Sequence, residues 1–290
     1  MRILNFGSLN IDLVYHVDHI AKPGETIASS AHEVFAGGKG ANQSAALALA
    51  GADVAHAGQV GPEGQWLVDK LVDIGVDMRH TSIGDVPTGH AIIQVDKTGQ
   101  NSIVLFPGAN QHIKRQVIDT TLSQFNEGGI LLLQNEINDI SHIIQQASKY
   151  GLKICFNPAP YGPEVLQYPL GLIDLLIVNE TEANGLVGLH PPEQLLDRIA
   201  TTWPKAHIIL TMGEQGAYFC SAHERFHQPA TPCSVVDTTG AGDTFLGYFL
   251  QGIIADMTPR AAMARASAAA ALCIAKPGAM DSIPSASNLS

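Results

Sequence analysis

Short apolar runs recur along this chain with helix-length segments between them, and that alternation constrains the fold more than any single residue does. The runs are Arg2–Gly7, Val54–Val60, Ile130–Gln134, Lys153–Phe156, Leu172–Val178 and His207–Met212. Each is short and rich in Val, Ile and Leu, as strands of a parallel sheet covered on both faces must be. Between them lie Ala41–Ala50, Lys114–Phe125 and Ile140–Tyr150, all of helical length. The rhythm predicts an α/β fold, a doubly wound, mostly parallel sheet with helices on both faces. Two stretches break it, at about 11–34 and 88–106. The second reads as a hairpin, Ala91–Val95 and Ser102–Phe106 joined across Asp96–Asn101 with its Gly99. Both stretches are expected to form strands of a small accessory sheet. With 290 residues, 46% of them hydrophobic, a single domain over 1–290 carrying that appendage is more economical than two domains.

Helices dominate the C-terminal part. Ala241–Ala255 and Pro259–Ala275 are rich in Ala and Leu, and Thr258 followed by Pro259 reads as an N-cap and first helical residue. The polar tail Ser282–Ser290 is expected to fray.

Sixteen Lys and Arg against 27 Asp and Glu give a formal charge of −11, with the cations scattered rather than gathered in a stripe. Nucleic acid and anionic membranes are therefore poor partners. A small anion is not excluded, since backbone N–H groups and one Lys can build a local positive site. Cys155, Cys220, Cys233 and Cys273 are far apart and form no C-x-x-C pair, so they read as buried thiols of a cytoplasmic protein. Asn5, Asn10 and Asp12 interrupt the N-terminal apolar stretch where a signal peptide needs continuity, and no run reaches the ~20 apolar residues of a membrane span.

Chemistry concentrates in a few segments. In Val235–Phe249 a β-branched pair runs into Asp237, Thr238, Thr239 and Gly240-Ala241-Gly242, with Asp243 opening an apolar helix. Small residues let backbone N–H groups converge at a helix N-terminus, which welcomes an oxyanion or phosphate. An Asp beside that anion can accept a proton from an attacking hydroxyl. It can equally be no more than a helix cap. In Phe35–Gly51, Lys39 and Asn42 can bond a polyol while Gly37, Gly38 and Gly40 let it approach the backbone, or the loop is simply a tight helix entry. Gly40 follows Lys39 where a Walker loop needs Ser or Thr, and Gln43 and Phe245 stand where G-x-G-x-x-G needs its last glycine. After the first strand, Asn10 and Asp12 are two residues apart, so an extended segment turns both to one side, and Glu136 follows the strand Ile130–Leu133.

Taken together, AGGKGAN at 36–42 and DTTGAGD at 237–243, with NPAP at 157–160, NETE at 179–182 and the T-x-G-x-x-G turn at 211–216, resemble the ribokinase, or PfkB, family of carbohydrate kinases. The resemblance runs from the first strand to about Pro284. It implies a ribokinase-like fold with a small β lid at the two rhythm-breaking stretches, and phosphorylation of a small sugar by ATP. Asp243 would be the catalytic base, and the amides of Gly240, Ala241 and Gly242 the anion hole. Asn10, Asp12, Gly38, Lys39, Asn42 and Glu136 would hold the sugar. Asn179, Thr211, Gly213, Gly216 and Gly242 would line the nucleotide side, and Ser267 stands where the family often has His or Asn near the adenine. Glu182 would organise Mg²⁺ through water. Asp237 and Thr239, with Cys273, Lys276, Gly278 and Ser282, match positions where such kinases bind potassium. The N-I-D of 10–12 with Glu136 points within the family to D-ribose, whose product is ribose 5-phosphate. Fructose, a deoxy-sugar or a nucleoside such as adenosine are the alternative acceptors, and a non-catalytic sugar-binding regulator is the alternative role. A homodimer through the lid is also implied, since pairing covers exposed sheet edges.

One motif points elsewhere. His223-Glu224-Arg225-Phe226-His227 matches the H-E-x-x-H of zinc proteases letter for letter, but that chemistry needs a helix. Here the segment follows Ala217–Ser221, which reads as a strand, and precedes Pro229 and Pro232, so it is expected to be a surface hairpin.

Overall fold

The computed structural model describes residues 2–125 and 128–289. Its main sheet has nine strands in the order β13-β12-β11-β10-β9-β8-β1-β4-β5. From one edge inward these are β13 (Arg225–Gln228), β12 (Ala217–Cys220), β11 (His207–Thr211), β10 (Leu175–Asn179), β9 (Lys153–Asn157) and β8 (Ile130–Gln134), followed by β1 (Ile3–Phe6), β4 (Val54–Val60) and β5 (Asp77–Ile83). All neighbours from β11 to β5 run parallel, and the antiparallel hairpin β12–β13 closes one edge.

Successive side chains of the parallel strands point to opposite faces, and each face has its own core. Ile3, Leu132, Cys155, Ile177 and Ile209 pack under α1 (Lys39–Leu49), α2 (Gln65–Ile74), α7 (Ala241–Ile254) and α8 (Pro259–Ile274). Their neighbours Leu4, Leu133, Phe156, Val178 and Leu210 pack under α3 (Arg115–Leu122), α4 (Ile140–Lys149), α5 (Glu180–Val187) and α6 (Pro192–Thr202). This is why the runs read as continuously apolar: both alternating sets are buried. The two stretches that break the rhythm supply β2 (Asn10–His16), β3 (Ala31–Gly37), β6 (Gly89–Val95) and β7 (Asn101–Phe106), a separate sheet in the order β3-β2-β6-β7.

Three local expectations are corrected. The run at Leu172–Val178 does not start as a strand, because Pro169 and Gly171 favour a 3₁₀ turn over Leu170–Leu172, and β10 begins at Leu175. Over 282–289 the tail does not fray, Ser290 lying outside the described residues: Ser282 and Ile283 are buried, the Tyr248 hydroxyl donates to the Pro284 carbonyl at 2.6 Å, and Leu289 packs against the core. Among the cysteines, Cys155 and Cys273 are buried, but Cys220 is intermediate and Cys233 exposed.

Candidate active site

β1, β8, β9, β10 and β11 end together along one edge of the main sheet, as the pairings Phe6 with Leu133, Gln134 with Asn157 and Asn179 with Thr211 show. Open α/β sheets bind ligands at that edge. Polar residues close several of the apolar strands there, and α1, α5 and α7 begin beside them.

α7 brings in Asp243, which is 8% exposed. The capping alternative does not hold. The N-cap is Gly240, whose φ of 76° suits glycine, and no side chain caps the helix. The Asp243 carboxylate instead accepts from two side chains of α1, Asn42 Nδ2 at 3.2 Å and Gln43 Nε2 at 2.8 Å. The helices come this close because Gly247 of α7 faces Ala46 of α1. A Cβ at 247 would lie 2.5 Å from the Ala46 Cβ.

The loop before α1 is held just as closely. The Lys39 N–H donates to Glu136 Oε2 at 2.9 Å, the Ser8 hydroxyl donates to the same oxygen, and the Gly40 N–H donates to Ser8 Oγ at 3.1 Å. A Cβ on Gly40 would meet the Gly7 backbone at 2.6 Å, so only glycine fits. Burial alone would lower the Lys39 pKa, but the carboxylates of Asp243, Glu136 and Glu182 outweigh it and hold the ammonium charged. Burial raises the Glu136 pKa against the opposing pull of Lys39 and its hydrogen bonds.

Asn10 and Asp12 share a face of β2, two residues apart. Asn110 Nδ2 fixes Asn10 by donating to its Oδ1 at 2.7 Å, and Asn110 Oδ1 accepts from the Leu9 N–H at 3.0 Å. The Asp12 carboxylate lies over Gly37, where any side chain would collide with it. Burial first, and the Glu136 charge second, push the Asp12 pKa up to about 7.

A cavity of about 310 Å³ lies beside Asp243, lined by Lys39, Asn179, Glu182 and Thr211 and by the Gly240–Gly242 turn. Asn179 and Glu182 form a reciprocal capping box on α5: Glu182 N–H donates to Asn179 Oδ1 at 2.9 Å, and Asn179 N–H to Glu182 Oε2 at 2.9 Å. Burial raises the Glu182 pKa, opposed by the Asn179 N–H. Behind the turn, Asp237 accepts from Thr239 N–H at 2.9 Å and from Gly278 N–H at 2.9 Å. The Ser282 hydroxyl donates to the Gly278 carbonyl at 2.7 Å and lies 3.0 Å from Cys273 Sγ. Asp237, Thr239, Cys273, Gly278 and Ser282 thus form one cluster, and no Lys or Arg pairs with Asp237 among the described residues.

Not every expected residue reaches the cavity. Gly213 and Gly216 shape the turn after β11 without lining it. Ser267 is occupied in packing: its Oγ accepts from Thr231 N–H at 3.0 Å, pinning the 229–231 stretch to α8, and it does not line the cavity. The H-E-x-x-H segment runs through a turn into β13, and His227 Nε2 lies 2.6 Å from the Gln215 carbonyl, so the imidazoles share no helical face. A more open cavity of about 380 Å³ between β5 and α3 is lined by Arg79, Ser82, Gln116 and Thr120, with no carboxylate, and lies apart from this chemistry.

Sequence reasoning missed Ser8, Gln43, Asn110, Gln134 and Asn157. For Gln134 and Asn157 a signal existed, since each is the lone polar residue closing an apolar strand. The assembled arrangement offers a carboxylate within reach of a hydroxyl, a neighbouring helix N-terminus for an anion, and a polar wall for a polyol.

Residues 2–286 match the profile described as pfkB family carbohydrate kinase. A ribokinase of Haemophilus influenzae is 35% identical over 288 residues, covering 96% of this chain and 94% of that protein. A deoxyribokinase of Salmonella typhi is 31% identical, covering 98% and 96%. The structure of an Arabidopsis thaliana ribokinase complexed with ribose and ATP superposes with a TM-score of 0.85 at 29% identity, covering 99% and 96%. Glycine-rich turns, carboxylates and topology agree with the match along the whole chain: this protein belongs to the pfkB family of carbohydrate kinases.

Proposed function

We propose that this kinase transfers the γ-phosphoryl group of ATP to the primary hydroxyl of D-ribose, giving ribose 5-phosphate and ADP. The observation that carries the reading is the Asp243 carboxylate, bonded to the glycine-rich loop's Asn42 on one side and placed at the mouth of the Gly240–Gly242 turn on the other. Asn10, Asp12, Gly38, Lys39, Asn42 and Glu136 hold the sugar. Asp243 takes the proton of its hydroxyl as the oxygen bonds to the γ-phosphorus and the bond to ADP breaks. The amides of Gly240, Ala241 and Gly242 and the Lys39 ammonium receive the charge on the transferred group. Asn179, Thr211 and the Gly213–Gly216 turn form the nucleotide side, and Ser267 acts there only indirectly, through the 229–231 stretch.

Mg²⁺ supplies charge neutralisation on the phosphates. Glu182 suits it through water, because its carboxylate lines the cavity while Asn179 and Asn157 hold its oxygens in place. The half-buried charge of Asp237, lacking a cationic partner among the described residues, suits a potassium ion sharing the backbone oxygens of Cys273, Lys276 and Gly278 with Ser282. The small sheet serves as lid to the site and as the contact of a homodimer. No described helix is long and apolar enough to cross a membrane, and the free thiols suit the cytoplasm.

The second reading, a deoxy-sugar acceptor, is favoured by the deoxyribokinase similarity. Acceptor-dependent ADP release with ribose, 2-deoxyribose, fructose and adenosine, in potassium or sodium salt at constant ionic strength, separates these readings. Ribose is expected to give the highest kcat/KM, with faster turnover in potassium. A better acceptor refutes ribose while leaving the family untouched; equal rates in both salts refute the cation; sugar binding without ADP release identifies a regulator.

A further inference from the structure

Gln43 is fully buried and no ligand can reach it, yet its amide lies directly on Asp243. Its Nε2 donates to Asp243 Oδ1 at 2.8 Å and to Asn157 Oδ1 at 3.1 Å, while its carbonyl oxygen accepts from Gln134 Nε2 at 2.6 Å. A carboxamide turned by half a revolution keeps its shape and reverses its polarity, so what faces Asp243 depends on what the neighbours impose.

Backbone carbonyls impose it, because they can only accept. On one side the Gly40 carbonyl requires the NH₂ of Asn5, at 2.7 Å. Asn5 Oδ1 is thereby left facing Gln134, which must answer with its own NH₂, at 2.9 Å. The same NH₂ reaches Gln43 Oε1. On the other side the Ile177 carbonyl requires the NH₂ of Asn157, at 3.0 Å, and Asn157 Oδ1 then faces Gln43. Two routes from two backbone carbonyls reach the same result: Gln43 must aim N–H at Asp243. A third agrees. The Gly7 carbonyl, 3.2 Å from His56 Nε2, makes that nitrogen the donor, so His56 Nδ1 accepts from the Ser44 hydroxyl, and Ser44 Oγ accepts from the same Asn5 NH₂ at 2.8 Å. Reversing Gln134 would set its oxygen against two oxygens at once. An N–H aimed at Asp243 Oδ1, with Asn42 donating to Oδ2, holds both carboxylate oxygens and so fixes the plane of the carboxylate.

We infer that Gln43 is a positioning residue for phosphoryl transfer, its amide direction set through Asn5, Gln134 and Asn157 so that its N–H holds the Asp243 carboxylate in one rotamer. The inference rests on the proposed role of Asp243 as base and adds the buried apparatus that prepares it.

Gln134 never touches Asp243, and this makes the polarity testable. Gln134→Met removes the donor and leaves Gln43 free to turn either way. Gln134→Glu keeps the shape but, ionised, offers only acceptors, so Gln43 must turn its carbonyl oxygen to Asp243. Displacing a reacting group by small distances costs up to ~10²-fold in rate, so Gln134→Glu is expected to lose about that much kcat, and Gln134→Met and Gln43→Met about ten-fold. KM for sugar and ATP should stay within about two-fold in all three, because neither binding wall is touched. Gln134→Glu should also recover toward low pH, where a protonated Glu regains a donor. The inference is overturned if Gln43→Met and Gln134→Met keep wild-type kcat while Asp243→Asn is slowed ~10²–10⁴-fold. It is likewise overturned if the losses appear in KM and melting temperature alone. Near wild-type turnover in Asp243→Asn sinks the base itself, a separate failure. Should Gln134→Glu not fold, the two Met variants still decide.

Discussion

Asp12 titrates near neutrality in the free protein, and its proposed place in the sugar site makes sugar binding the readout of that proton. Its pKa stands at about 7 against an ordinary 3.8, so the folded state binds this proton more tightly than the unfolded chain does. The stability it contributes is therefore fully present below the ordinary value and lost as pH rises through about 7. Asp12→Asn is expected to raise the melting temperature at pH 8, with the gain shrinking toward pH 5, while weakening the sugar. In the wild type, kcat/KM for the sugar should fall below about pH 7 as protonation removes an acceptor. A pH-independent kcat/KM would show that Asp12 does not bind as a carboxylate. At this scale the motif residues were legible because glycine turns and acidic residues at helix starts are local patterns. Gln43 was not. Its partners Gln134, Asn157 and Asp243 lie 91, 114 and 200 residues away, and an amide's role is decided by what the fold sets opposite it.

Among the elements, the crossing of α1 and α7 governs the site, since Asn42 and Gln43 ride on one helix and Asp243 on the other. Gly247→Ala tests it with opposing effects of known size. Alanine in a helix interior gains up to ~1 kcal/mol over glycine. The added Cβ meets the Ala46 Cβ at 2.5 Å and the Leu47 N at 2.9 Å, an overpacking that typically costs ~1–3 kcal/mol. The clash is expected to win, lowering the urea midpoint and, by parting the helices, kcat more than ATP affinity. A stabilised variant would show that the helices can slide apart freely. Strand and helix positions in the main sheet were legible from apolar periodicity. The 3₁₀ turn at Leu170–Leu172 was not, because its residues are as apolar as a strand's, and neither was the ordered tail, whose polar letters hide the seating of Ser282 and Ile283.

For the whole molecule, the outer face of the small sheet matters most. Val34, Leu13, Ile92 and Val104 pair in register across its four strands, and Val34, Ile92 and Val104 remain 49%, 41% and 64% exposed. Such a row invites a second copy. Ile92→Lys with Val104→Lys is expected to give monomers in sedimentation velocity, where the wild type is expected to give dimers; a wild type that sediments as a monomer rejects the pairing. Fold class was legible because strand and helix alternate along the sequence. The placement of β1 inside the sheet, between β8 and β4, was not, because adjacency of distant strands leaves no local trace.

That placement also orders events at the ribosome. β1 is made first and stands inside the sheet between β8 and β4, while the last two α-helices, α7 and α8, supply Phe245, Leu246, Phe249, Met263 and Ala266 to the core over Ile177 and Ile209. Asp243 arrives on the same helix that seals this apolar face. A chain whose translation stops before α7 lacks at once this apolar cover and the proposed base, and its exposed apolar surface favours chaperone binding or aggregation. The apolar cover of this face and the proposed base thus arrive in one segment.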